Sequence, residues 1–527
     1  MSQELSTEVY PSEDELYLAL VAGDIDYHRF LILSEAIRSG IDFSNRHLFE
    51  DVPNLSYFLD DTASLSTYLE REQEAGFTRP SLGNVGGVHG ELRYRHFQYL
   101  EEGSQSQYRL SGSFRLADWR ASLNVRRDDD GVDRVSGRHI AYRGDGFMRE
   151  LRFGSFTRRL GLGTAFGYRG LLLGSPARLD PESFLFPDYG GFNGVYIGLQ
   201  RGTTRLQVLA SVNRDPDHSL VSLAGMVAGD LGFLHPGVIL GVNRLRNRHT
   251  ASSRNDVKIA PTARYSYHGG YSSAEVCFQS GDRIAFGGVL VEGRHRFATA
   301  QVKYAAWRYG DKYLDLSGGG KTGASRRYHY PEDVEFEFSE KRSGHRGGMI
   351  KTIILMSPRT QLVSSLVYSG QHRDSSDLQL LSGLLQQIHP EFFVRFDHLV
   401  KTRRRLGSDT EPVVTSHRSR LEVRFTTGQA VVRGYIAYNT KSGRTDYLSA
   451  FVRLDYAATA VGKLQLWSNL ARVDGRSGTV EYWYLFLRNE QPIWDDVTLA
   501  VKMSRTYDRD ASERHRTALS LEVRATW

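Results

Sequence analysis

The sequence predicts an all-β fold: a large antiparallel transmembrane β-barrel of about 20–26 strands, with a small N-terminal α-helical domain ahead of it. Three observations carry that prediction. The final eleven residues, Thr517 to Trp527, put Leu519, Leu521, Val523, Ala525 and Trp527 on one face of an extended strand. Ser520, Glu522, Arg524 and Thr526 fall on the other, because successive strand side chains point to opposite faces. The same alternation returns along most of the chain with charged residues in mid-strand, where a dry soluble core could not hold them unpaired. Aromatics make up 11% of the 527 residues, and 52 Gly stand against 14 Pro, a balance that favours strands with aromatic girdles.

No run of about 18 apolar residues occurs, so no transmembrane helix is expected. The single Cys277 permits no intramolecular disulfide and reads as a small strand residue. Charge divides the chain into two units. Residues 1–80 hold 16 acidic residues against 5 Arg and no Lys, a net of −11, while the remainder carries +17.

Residues 1–80 read as helices. Ser12 with Glu15 forms a capping box ahead of Leu16, Leu18, Ala19 and Leu20, and Gly23 ends the run. Asp26 caps a second helix containing Tyr27, Phe30, Leu31, Ala36 and Ile37, and a last one spans about Asp61 to Gln73. Val52-Pro53-Asn54-Leu55 stands where a helix-hairpin-helix unit would turn, but without the Gly-x-Gly that brings backbone amides to a phosphate. With Arg dispersed through the rest of the chain rather than gathered on one face, nucleic acid is not an expected partner. The acidic head is expected in the periplasm or as a plug. Residues 1–22 lack the positive n-region of a secretory signal, so an exported barrel is expected to be present here in a mature or trimmed form, failing which the barrel reading falls.

From residue 84 to 527 the period is two. Tyr108, Leu110, Gly112, Phe114 and Leu116 oppose Arg109, Ser111, Ser113 and Arg115. Ala117-Asp118 makes a tight turn, after which Trp119, Ala121, Leu123 and Val125 oppose Arg120, Ser122, Asn124 and Arg126. Residues 126–139 read as a long charged loop, giving the alternation of short turn and long loop found in outer-membrane barrels. The expected lumen-lining set is Arg109, Arg115, Arg120, Arg126, Lys303, Arg420, Glu422, Arg424, Lys502, Glu522 and Arg524. Leu519, Leu521, Val523, Ala525 and Trp527 are the expected C-terminal signal to the barrel-assembly machinery.

Motifs for chemistry are weak. Ser317-Gly318-Gly319-Gly320-Lys321-Thr322 resembles the end of a phosphate-binding loop but has Asp315 at the first required glycine, so it reads as a flexible loop. The 17 His show no metal-ligand spacing, and no metal, cofactor or catalytic residue is expected. Glu335 and Glu337 read as lumen residues. Arg403-Arg404-Arg405, beside Gly407 and Pro412, reads as a loop, solvated or facing lipopolysaccharide phosphates or another anion.

Residues 151–215 carry a resemblance. LRFGSFTRRLGLGTAFGYRGLLLG, a Gly-rich strand with a Gly-Leu-Gly step, leads through a loop to GVYIGLQRGTTRLQVLASVNRD. In these sixty-odd residues the chain resembles a set of bacterial outer-membrane β-barrel proteins with an N-terminal helix-hairpin-helix-like region. The resemblance implies an outer-membrane location and a barrel, and no activity.

The expected function is a non-enzymatic outer-membrane barrel among the outer-membrane lipids, a pore or an envelope-assembly scaffold. Its inner Arg either favour anionic solutes or pair with inner Glu and Asp. Rival expectations are an outer-membrane enzyme acting on lipid or glycan, which would need Ser, His and an acid to converge, and a soluble all-β binding protein.

Overall fold

The computed structural model describes residues 88–526 apart from 101–105, 128–132, 157, 168–191, 215–217, 248, 250–252, 268, 281–283, 314–343, 358, 372–374, 390, 406–412, 428, 442–443, 459–461, 475–479, 495 and 510–513. The expected helical head, the Val52–Leu55 hairpin, the Ser317–Thr322 stretch, Glu335, Glu337 and Trp527 lie outside the described residues.

The wall begins with β1 (Val88–Tyr99), β2 (Gln107–Leu116), β3 (Trp119–Arg127), β4 (Asp133–Arg143), β5 (Met148–Phe156) and β6 (Phe192–Arg201). It continues through β7 (Thr204–Arg214), β8 (His218–Gly229), β9 (Leu234–Asn247), β10 (Ser253–Tyr267), β11 (Gly270–Ser280) and β12 (Ile284–Arg296). Next come β13 (Ala300–Tyr309), β14 (His345–Ser357), β15 (Thr360–Gln371), β16 (Ser375–His389), β17 (Phe392–Arg405) and β18 (Val413–Thr426). The last six are β19 (Ala430–Lys441), β20 (Arg444–Ala458), β21 (Gly462–Asp474), β22 (Val480–Trp494), β23 (Val497–Asp508) and β24 (His515–Thr526).

Each strand pairs antiparallel with its sequence neighbours, and β24 returns to β1, so the 24 strands close one barrel. Closure leaves no unpaired edge, which is what a sheet in lipid requires, since each unsatisfied backbone group there costs several kcal/mol. The two ends differ. Connections on the side of both termini span two to four residues, and the Ala117-Asp118 turn needs Ala117 at φ 48°. At the other end they reach from Phe156 to Phe192 and from Tyr309 to His345. Short turns mark the periplasmic end and long loops the exterior.

Alternation sorts the side chains. On β9, Val238, Leu240 and Val242 are exposed outward while Ile239, Gly241 and Asn243 are buried inward. The outward rows carry aromatics at the turn end, where Trp119 packs on Tyr142 and His295 stacks between Tyr267 and Tyr304. These are the apolar band and interfacial girdle of a lipid-facing wall.

Three expectations change. Residues 133–139 belong to β4 rather than to a loop: Arg127 grips Asp133 at 2.7 and 3.0 Å, and a bulge at Asn124/Val125 absorbs the register change. Arg403–Arg405 completes β17, held by pairing to β16 and β18, and Arg403 bonds Asp377 at 3.0 and 3.4 Å. The Gly-Leu-Gly step is not strand, because β5 stops at Phe156.

The closing seam is electrostatic as well as hydrogen-bonded. Arg93 lies opposite Arg524 and Arg95 opposite Glu522. Glu522 takes Arg95 at 2.9 and 2.7 Å, with Arg93 and Arg488 each at 3.5 Å, and Glu91 bridges Arg524 at 3.4 Å. Glu522→Ala is expected to strip three arginines of their shared carboxylate and cost about 3 kcal/mol, the lower end for breaking a buried pair. Unboiled samples should then lose the fast-migrating barrel band at a lower temperature than the parent. Glu490→Ala, which removes one half-exposed partner, should shift it far less.

Candidate functional site

The residues after β5 turn back into the barrel. Gly161 and Gly163 adopt φ +57° and +79°, left-handed values that favour glycine. A Cβ at Gly161 would lie 2.6 Å from Glu275 Oε2. The turn closes on itself through Leu160 N–H to Phe166 C=O and Gly163 N–H to Leu160 C=O. It is pinned to the inner wall by Glu275 on β11, whose carboxyl oxygens accept the N–H of Leu162 at 2.5 Å and of Ala165 at 2.8 Å. Leu160, Leu162, Ala165 and Phe166 are buried against Ile239, Ala260, Cys277, Leu290 and Trp307.

Strand glycine makes room for this. A Cβ on Gly241 would sit 2.1 Å from the Phe166 ring. The second long connection joins at Tyr313, whose hydroxyl donates to the Thr164 carbonyl. Lys258 Nζ lies 4.7 Å from the Tyr313 ring centre and 3.4 Å from Asp256, which also accepts from Asn243 at 3.1 Å. Ser222 donates to Asn243 at 2.7 Å, completing a buried polar row across β8–β10. At the start of the segment, Arg158 donates to Glu150 and stacks 4.7 Å over Tyr196. Arg158–Gly167 therefore packs the inner face of β6–β13.

The remaining inner wall is charged. Arg420 and Arg433 both donate to Glu422, Arg395 bonds Asp397, and Arg453 bonds Asp455 at 2.7 and 3.0 Å. Beside these runs an aromatic ribbon: Tyr435 stacks on Phe451 at 5.2 Å, followed by Trp467 and Phe486. Lys502 lies 4.6 Å from the Phe486 ring, and Arg420 lies 4.7 Å over Tyr435.

The eleven residues named from alternation stand on the rows opposite the exposed apolar ones. Arg420, Glu422, Arg424 and Glu522 are buried, and Arg109, Arg115, Arg120, Arg126, Lys303, Lys502 and Arg524 are half-buried. The structure brings Arg420 to Glu422, and Glu522 and Arg524 to the seam. It places Arg109 opposite Arg126, Arg115 opposite Arg120, and Lys303 opposite Lys351. Leu519 and Leu521 are exposed outward, with Val523 and Ala525 half-buried on the same row.

Alternation missed Glu275, Lys258 and Phe166. The one signal was the density of glycine around Gly161, Gly163 and Gly241. Two Ser–His contacts also form: Ser122 Oγ lies 2.8 Å from His139 Nδ1 on the inner face, and Ser419 Oγ 3.0 Å from His398 Nδ1 on the outward face. Among the described residues His398 has no carboxylate partner, so no triad assembles there.

No protein-family model matches the chain, and no curated protein matches it in sequence. Solved structures do share its fold. A chain of the E. coli P pilus tip assembly intermediate PapC-PapD-PapK-PapG aligns with TM-score 0.52 at 10% identity, over 86% of this chain and 62% of that one. The siderophore receptor PirA from Pseudomonas aeruginosa aligns with TM-score 0.49 at 9% identity, over 84% and 80%. At such identities the likeness concerns the fold. The closed 24-strand wall and its outward apolar band make this chain an outer-membrane β-barrel, and the fold of the P pilus chain agrees with that.

Glu275→Ala should free the inward segment, since two charge-assisted bonds of about 1.5–3 kcal/mol each are lost. In a Cys277→Ala background, a thiol introduced by Thr164→Cys is expected to react slowly with a water-soluble maleimide. Adding Glu275→Ala or Gly241→Ala should raise that rate about tenfold or more, an opening cost reduced by 1.4 kcal/mol being tenfold.

Proposed function

We propose that the protein is an outer-membrane channel for anionic solutes, its passage running along the charged wall and narrowed on the other side by Arg158–Gly167. One observation carries the reading: inner rows place like cations directly opposite one another. Arg109 faces Arg126, Arg115 faces Arg120 and Lys303 faces Lys351. Directly opposed like charges destabilise a sheet. In a wet lumen they lower the energy of a passing anion instead. The acidic residues suggested as a plug, 1–80, are complementary in sign to this wall, and we count them as its candidate stopper.

Planar-bilayer recording of the purified protein under a tenfold potassium chloride gradient tests the proposal. The reversal potential is expected on the chloride side, Glu275→Ala should enlarge the conductance step, and removal of residues 1–80 should enlarge it further. A cation-side reversal potential, or silence from the parent, Glu275→Ala and truncated chains alike, would sink the channel reading.

A further inference from the structure

Charged residues on the lipid-facing rows are distributed unevenly. Among the described side chains, outward-facing arginines gather at the loop end, while the one outward carboxylate there is Asp133, already held by Arg127 and the Tyr108 hydroxyl. On β9 the exposed row runs Val238, Leu240, Val242 and then Arg244 and Arg246, so two guanidinium groups stand side by side where the apolar band stops. On β13 and β14, Arg308 lies directly opposite Arg346 on the row that continues into Ala306 and Ile350, and both are exposed. Arg404 repeats the position at the top of β17, opposite Ser376 and Val413.

None of these five has an ion-pair partner among the described residues. Two unshielded guanidinium groups in direct cross-strand register cost free energy unless an anion lies between them. A hydrated loop would spread them into water, but here each is fixed to a β-row where the exposed apolar residues stop. Arg presents a planar fork that matches two phosphate oxygens. The rows face outward, away from the lumen, so a solute crossing the barrel does not meet them. The loop end faces the cell exterior, which selects lipids of the outer leaflet.

We infer that Arg244 with Arg246, and Arg308 with Arg346, are two clamps for the phosphate groups of a phosphorylated glycolipid of the outer leaflet, with Arg404 continuing the belt. Each clamp brings two adjacent forks to one phosphate-bearing headgroup, with the acyl chains lying on the Val238–Val242 and Ala306–Ile350 rows below.

Native mass spectrometry of the detergent-purified protein, titrated with a diphosphoryl glycolipid, tests this. The parent is expected to retain the glycolipid in a saturable manner. The variant carrying Arg244→Gln, Arg246→Gln, Arg308→Gln and Arg346→Gln should bind it about tenfold or more weakly, the loss expected for a few charge-assisted bonds. A variant with Lys at the same four positions, keeping charge but losing the fork, should fall between. Heat-modifiability on gels establishes that each variant is a closed barrel. Unchanged glycolipid binding by a closed Gln variant overturns the assignment. So does equal retention of phosphatidylglycerol, which would reduce the belt to general attraction of anionic lipid.

Discussion

Every strand in this protein depends on closure. A sheet of 24 strands in lipid has no water to satisfy a free edge, so β1 and β24 must meet or the barrel is not a structure at all. Backbone pairing alone would allow the register to slip, and a slip of one residue would turn every apolar side chain inward. The cluster of Glu91, Arg93, Arg95, Arg488, Glu522 and Arg524 fixes the register by side chain, because only one alignment places Glu522 among its three arginines. The last strand is thus doubly determined, apolar outward for the membrane and charged inward for the seam.

With the wall closed, its inner surface divides into two regimes. Along β6–β13 it is dry where the Arg158–Gly167 turn and Tyr313 fill it. Along β14–β24 and β1–β4 it carries opposed cations, Arg–carboxylate chains and the Tyr435–Phe486 ribbon. The contrast follows from side-chain size and charge. The dry half offers Gly241, Ala260, Ala305 and Cys277 at the positions that face the inserted turn, leaving room for Phe166 and its neighbours. The wet half places Arg and Lys at the equivalent rows, in chains with Glu422, Asp397 and Asp455 that an apolar segment would have to displace.

Most of the wall was legible in the sequence and the inserted turn was not, for one physical reason. Alternation reports which face a residue takes, and that is a local property of backbone geometry. It therefore assigned Arg420, Glu422 and Arg424 to one face and Leu421 and Phe425 to the other, and bounded the strand number around 24. What covers a face is set by contacts distant in the chain, such as Leu162 to Glu275 across 113 residues. Nothing in a period of two distinguishes Glu275, which anchors a turn, from Glu422, which joins an arginine ladder. The glycine-rich stretch at 161–163 was visible, but its composition suits a lax strand as well as an inward turn. Arg403–Arg405 failed in the opposite sense: a run of charge beside Gly407 looks like a loop until Asp377 on the neighbouring strand is known.

The buried groups of the dry half explain why the turn stays in place. Glu275 within the wall would be costly alone, and so would the orphan N–H groups of Leu162 and Ala165 alone, yet each satisfies the other. On β10, Lys258 lies 3.4 Å from Asp256, which accepts from Asn243, and the Tyr313 ring stands over Lys258 while its hydroxyl holds Thr164. Withdrawing the turn would expose several apolar side chains and part Glu275 from the N–H groups of Leu162 and Ala165 at the same moment. Opening on that side is thus a cooperative step with a large cost rather than a graded loosening.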